Sequence, residues 1–97
     1  MSATAVARIQ SELQEWLCRH LAAQLRLPYE SIDPAERMSA YGLDSVRAVA
    51  VLVETEEYAG FPIDPEALWD YPTVETFARF LAEQMADRPE YSEKLNG

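Results

Sequence analysis

Val6, Ile9, Leu13, Trp16, Leu17 and Leu21 recur along the chain at spacings of three and four residues. That period gathers them on one side of a helix and scatters them over both faces of a strand. A helix with such a face cannot stand alone in water and must lay it against other elements. Thr4 is placed to cap this first helix, and Leu27-Pro28 closes it after about Leu25. With 97 residues in all, the helix belongs to one small domain with a single core. A chain this short does not also enclose a deep substrate cleft, which weighs against a self-contained enzyme.

Residues 26–44 then break the period with two prolines and several small polar residues. A connection this long in a small domain is unusual unless it serves a function or is packed by its own side chains. Ile32, Met38, Tyr41 and Leu43 are the expected anchors. A second helix starts at Ser45, with Asp44 as N-cap and Gly42 in the tight turn before it. Val46, Val49, Ala50 and Val53 form one apolar stripe on it, and Ala48, Val51 and Leu52 widen the arc. Arg47 and Glu54 alone mark an outer polar edge, so this helix is more apolar than its own core requires. Gly60 stops it near Tyr58.

A short helix is expected over about Pro65 to Trp69, with Pro at its first position. Asp70-Tyr71-Pro72 breaks the chain, and Thr73 caps a last helix in a partial capping box with Thr76. Val74, Phe77, Phe80, Leu81 and Met85 make its apolar face, and Pro89 ends it. Trp16, Trp69, Phe77 and Phe80 read most simply as core aromatics. The reading is all-α: a small four-helix bundle of three main helices and one short one, with a long loop between the first two. Residues 1–97 form one domain, its core about 4–88, with a polar, frayed tail over 89–97.

Charge narrows the function. Eight Lys and Arg against 17 Asp and Glu leave a net charge of −9. That balance disfavours nucleic acid and anionic membranes, whose phosphates need clustered cations. From Arg47 to Arg79 no Lys or Arg intervenes, while Glu54, Glu56, Glu57, Asp64, Glu66, Asp70 and Glu75 do. Such a run is either a solvated face or one that meets basic partners. It lacks the alternating acidic loop of a calcium site. Cys18, the single cysteine, allows no internal disulfide and reads as a small core residue. No apolar run is long enough for a membrane span, and the N-terminus has no secretory core, so a cytoplasmic monomer is the expectation.

The chemistry concentrates in Tyr41-Gly42-Leu43-Asp44-Ser45-Val46. Here a long loop delivers a serine hydroxyl to the first turn of a helix. Free backbone amides and the helix dipole favour an anion there, so the serine is suited to hold a phosphate, bound or covalent. The Asp44 carboxylate beside it is suited to share a divalent cation while phosphate is transferred. A catalytic nucleophile is a poorer reading. No strand precedes Ser45, the Gly-x-Ser-x-Gly elbow is missing, and His20, the single histidine, lies beside the apolar face of the first helix.

Gly42-Leu43-Asp44-Ser45 at the start of a second helix resembles the attachment motif of acyl carrier proteins. The stretch Ala67-Leu68-Trp69-Asp70-Tyr71-Pro72-Thr73-Val74 is similar to the segment before the last helix of polyketide-synthase carrier domains. The resemblance covers roughly residues 10 to 86. It implies that Ser45 receives 4′-phosphopantetheine from coenzyme A, with Asp44, Leu43 and Gly42 supporting the motif. It implies a carrier with no catalysis of its own, holding acyl groups as thioesters. Implied partners are a phosphopantetheinyl transferase, an acyl-loading enzyme (an acyltransferase or acyl-adenylate ligase) and a ketosynthase or other processing enzymes, in bacterial polyketide or antibiotic biosynthesis. Val46 stands where the family usually has Leu. Arg47 and Ala50 stand where it is often polar or acidic, so an acidic second helix is not expected to do the docking. The expected partner contacts are instead Leu43, Arg47, Val51, Glu54 and the neighbourhood of Trp69. A peptidyl carrier domain of a nonribosomal synthetase and an unmodified helical interaction module are the competing readings. Asp44 argues against the former, which usually has His before the serine.

Overall fold

The computed structural model describes residues 3–88. Over them the chain forms α1 (Ala3–Leu25), α2 (Ser45–Ala59), α3 (Ala67–Asp70) and α4 (Val74–Ala86), with no strand among the described residues. The expected bundle of three substantial helices and one short one is what the chain adopts. The tail from Pro89, expected to be polar and frayed, lies outside the described residues.

The core is one cluster, and α1 packs most extensively on α4. Leu13, Leu17 and Leu21 of α1 are fully buried, as are Val74, Phe77 and Leu81 of α4. Burying each such side chain is worth about 1.5–3 kcal/mol. Ala78 and Ala82 are also fully buried on α4, and their small volume lets the neighbouring backbone come close. Cys18 lies in this core, as the sequence implies.

The helix ends show what the sequence conceals. At the end of α1 the amide of Leu27 donates to the carbonyl of Ala22 at 2.9 Å, and that of Arg26 to Ala23 at 3.4 Å. Arg26 between them has φ of 55°. This is a Schellman closure with arginine in the left-handed position that glycine usually takes. The helix is therefore closed before Pro28 acts on it. The short helix begins later than expected, because the amide of Glu66 donates to Asp64 Oδ1 (2.9 Å) and that of Ala67 to the Asp64 carbonyl (2.9 Å). Asp64-Pro65-Glu66 thus makes a capped turn, and α3 follows from Ala67. The Thr73 capping box with Thr76 is complete, with the Thr76 amide donating to Thr73 Oγ1 at 3.0 Å. α4 stops at Ala86, ahead of Pro89, where the Arg88 amide turns back to the Met85 carbonyl (3.1 Å).

The long first loop is packed by the expected anchors. Ile32 and Met38 are buried, and Tyr41 and Leu43 lie against the core. Short 3-10 turns occupy Tyr29–Ser31 and Met38–Tyr41, and the Tyr41 hydroxyl accepts from the Asp33 amide at 2.7 Å. The Met38 amide donates to the Pro72 carbonyl, and the Glu75 amide to the Pro34 carbonyl, each at 2.9 Å. With the bridge between Arg37 and Thr73, these bonds fasten the loop to the α3–α4 junction.

Two substitutions at helix ends should move stability in opposite directions in urea unfolding. Arg26→Gly relieves a left-handed residue costing about 1–2 kcal/mol and gives back part of that as unfolded-chain entropy, for a net gain of roughly 0.5–1 kcal/mol. Thr73→Ala removes a cap and should cost about 1 kcal/mol.

Candidate functional site

Ser45 is the first residue of α2, and three local features put it there. Gly42 sits in the left-handed region with φ of 88°, which turns the chain sharply out of the 3-10 turn. Asp44 caps the helix, its Oδ1 accepting from the Arg47 amide at 2.8 Å. Leu43, between them, is half-buried against the core and anchors the turn. Ser45 itself is exposed, and no described residue hydrogen-bonds its hydroxyl. The amides of Ser45 and Val46 precede the first intrahelical donor, the Ala48 amide, which bonds the Asp44 carbonyl at 2.8 Å, and no carbonyl takes them up. A free hydroxyl beside two free amides at the positive end of a fifteen-residue helix suits a phosphate ester. The site therefore fits a group joined to the protein through phosphate.

The charges around it are sparse. Arg47 approaches Asp44 Oδ2 at 3.5 Å, a weak and exposed pair. A groove of about 380 Å³ opens beside the same turn, lined by Leu43, Ala48, Leu68, Trp69, Arg37 and Asp70 among others. Trp69 is 68% exposed, so it is not the core aromatic its composition implied. It lines this groove instead.

The rest of the expected docking set divides. Val51 is corrected outright: it is 1% exposed, faces the core, and cannot meet a partner. The buried face of α2 is Ala48, Val51, Leu52, Thr55 and Ala59. The stripe beginning at Val46 is the outer one: Val46, Val49 and Val53 are 77%, 58% and 45% exposed. Sequence reasoning misplaces this face because Thr55 looks polar. Its hydroxyl donates to the Val51 carbonyl at 2.6 Å, which satisfies it within the helix and allows full burial.

Glu54 is also engaged. Its carboxylate is 2.6 Å from His20 Nδ1 and accepts from Gln24 Nε2 at 3.0 Å. Trp16 stacks on His20 with ring centroids 3.9 Å apart and on Tyr58 at 4.6 Å. The histidine expected to be structural does serve as a fastening between α1 and α2, and Glu54 belongs to that seam. Glu54 lies on the α1 flank of α2, whereas Trp69 lines the groove with Leu43 and Ala48. The structure thus brings Gly42, Leu43, Asp44, Ser45 and the Trp69 groove together, and leaves Glu54 apart. Among the described residues no cluster of His, Cys, Asp and Glu side chains is able to hold a metal ion.

Comparison with known proteins agrees with this geometry. Residues 15–81 match the family described as "Phosphopantetheine attachment site". The chain is 34% identical over 85 residues to a phenolphthiocerol/phthiocerol polyketide synthase of Mycobacterium tuberculosis, covering 88% of this chain and 4% of that one. It is 32% identical over 91 residues to a pikromycin polyketide synthase component of Streptomyces venezuelae, covering 92% of this chain and 2% of the other. The chain thus spans only a few hundredths of the length of these relatives. A solved free-standing peptidyl carrier protein of Acinetobacter baumannii superposes with a TM-score of 0.75 and 30% identity, over 78% of this chain and 95% of that one. With an all-helical frame, an exposed serine at a capped helix start and a family match over most of its length, the chain belongs to the phosphopantetheine-attachment family of carrier domains.

Proposed function

We propose that Ser45 bears the phosphopantetheine arm and that the domain carries acyl intermediates of polyketide assembly as thioesters on it. One observation carries the assignment to Ser45: its hydroxyl is exposed and unbonded at the first position of a capped helix, inside the stretch that the family matches. In the attachment step the Ser45 oxygen attacks the pantetheine-bearing phosphorus of coenzyme A. A phosphodiester forms, the pyrophosphate P–O bond breaks, adenosine 3′,5′-bisphosphate leaves, and the serine proton passes to a base of the transferase. Asp44 holds the helix start with one carboxylate oxygen. The other, only weakly engaged by Arg47, would share in holding a divalent cation against the pyrophosphate linkage of coenzyme A. Once attached, the arm supplies a terminal thiol that forms the thioester. Tethering raises the acyl group's effective concentration at each enzyme it visits. The domain itself does no catalysis. Its partners are the transferase, an acyl-loading enzyme, and a ketosynthase or other processing enzymes, met in the cytoplasm by a monomeric domain. The two polyketide synthase relatives support this setting over a peptidyl one.

Incubation with coenzyme A and a broad phosphopantetheinyl transferase should add one phosphopantetheine by intact mass, and Ser45→Ala should add none. Unchanged mass in the wild type with several transferases would leave only an unmodified interaction module. Asp44→Asn keeps the cap, since Asn and Asp cap equally well. It should preserve the melting temperature while slowing attachment about tenfold, the worth of one lost charged contact.

The arm's thiol is also separable from the protein's own. Cys18 is buried, and burial, reinforced by the charge of Asp33, pushes its thiol above the ordinary value. The thiolate that reacts is therefore scarce and shielded. Disulfide-exchange titration at neutral pH should find no fast thiol in the unmodified folded protein and one after attachment. Denaturant should add one more in each case. A fast thiol in the unmodified fold would contradict the burial of Cys18.

A further inference from the structure

Arg47 is the only Lys or Arg between Arg37 and Arg79. It stands at the third position of α2. Its backbone is engaged in starting the helix, since its amide donates to Asp44 Oδ1 at 2.8 Å. Its guanidinium is hardly engaged at all. Side chains of a helix lean toward the N-terminal end, and that of Arg47 folds back over the first turn to meet Asp44 Oδ2 at 3.5 Å. Charge-assisted bonds of this type usually measure about 2.7–2.9 Å. Both side chains are exposed, and so loose an exposed pair contributes little to stability. The guanidinium has no other partner among the described residues.

We propose that Arg47 clamps the phosphodiester of the arm: once Ser45 is loaded, the guanidinium spans the Asp44 carboxylate and the new phosphate. The inference rests on the assignment of the arm to Ser45. Loading puts a negative charge on the residue next to Asp44, in a chain whose net charge is already −9. Two anions held that close repel each other. The free amides of Ser45 and Val46 favour the phosphate but leave the carboxylate opposed to it. A guanidinium is a planar fork of donors that takes carboxylate and phosphate oxygens side by side, and Arg47 already reaches this end of the helix. Its loose hold leaves the Asp44 carboxylate open before loading, and the phosphate completes the contact afterwards. The root of the arm is then held at two points, the ester bond and the clamp, so the arm leaves the protein in a restricted direction. Arg47 is a positioning residue for the arm.

Loading serves as one leg of a mutant cycle. Wild type, Arg47→Gln and Arg37→Gln are each prepared loaded and unloaded, as verified by intact mass. All are unfolded in urea at physiological ionic strength, where exposed charges more than about 8 Å apart are largely screened. Loading should favour the folded state about two- to fivefold more in wild type than in Arg47→Gln, the worth of an exposed pair. Arg37→Gln removes a cation from the neighbouring groove and should behave as wild type. An arginine that only supports the helix start would shift both forms equally, and that result overturns the proposal. An equal effect of Arg37→Gln also overturns it, because the phosphate then senses net charge alone. Should Arg47→Gln resist loading, the wild type decides by NMR. Its Arg47 Nε–H should exchange with water several-fold more slowly after loading, and unchanged exchange overturns the clamp. If the wild type accepts no arm, the assignment of Ser45 falls and this proposal with it. If the arm is accepted and loading affects wild type and Arg47→Gln alike, only the clamp falls.

Discussion

The amide of Met38 donates to the carbonyl of Pro72, and the amide of Glu75 reaches back to that of Pro34. These two backbone bonds cross between the long first loop and the start of α4, and the geometry around Ser45 depends on them. A connection running from residue 26 to residue 44 would by itself deliver the serine to no fixed place, since loop closure alone orders nothing. Fastened at this crossing, and weighted by Met38 and Ile32 in the core, the loop ends at a defined point. Gly42 and Asp44 can then start α2 there. Thr73 belongs to the same crossing, as cap of α4 and as partner of Arg37 in the bridge. The Asp70-Tyr71-Pro72-Thr73 segment is therefore the mooring of the loop that carries the serine.

Much of this is legible in the sequence. The three long helices follow from apolar residues at three- and four-residue intervals, and the starts of α2 and α4 follow from Asp44 and Thr73, whose capping chemistry is local. The all-helical fold and the family follow from the motif at Ser45 together with the segment ending in Val74. What stays hidden depends on partners distant in sequence or on backbone conformation. Arg26 takes the left-handed position without the glycine that would announce it. Asp64 delays the short helix by capping a turn in front of it. Trp69 looks like core by composition, yet only packing decides whether an aromatic ring finds a place inside.

The second helix is the instructive failure. It carries apolar residues over most of its circumference, so periodicity alone gives two candidate inner faces. Assigning Val51 to partner contact takes the wrong one. Pairing the Thr55 hydroxyl with the carbonyl one turn back would have pointed to burial there. Glu54 resembles a free surface acid in the sequence because its partners, His20 and Gln24, lie on another helix.

That ambiguity bears on how the serine is aimed. For a helix apolar on two sides, rotation about its own axis trades Val51 and Leu52 for Val46, Val49 and Val53 at little hydrophobic expense. The polar side chains set the rotational phase instead. Glu54 is tied on one flank to α1, while on the other Glu56 Oε2 accepts from the Ile63 amide at 2.7 Å. The two carboxylates hold α2 like opposed stays on a mast, and with the phase fixed, Ser45 faces outward. The acidic residues of this helix thus serve as alignment, fixing the bearing of a hydroxyl more than one turn away from either of them.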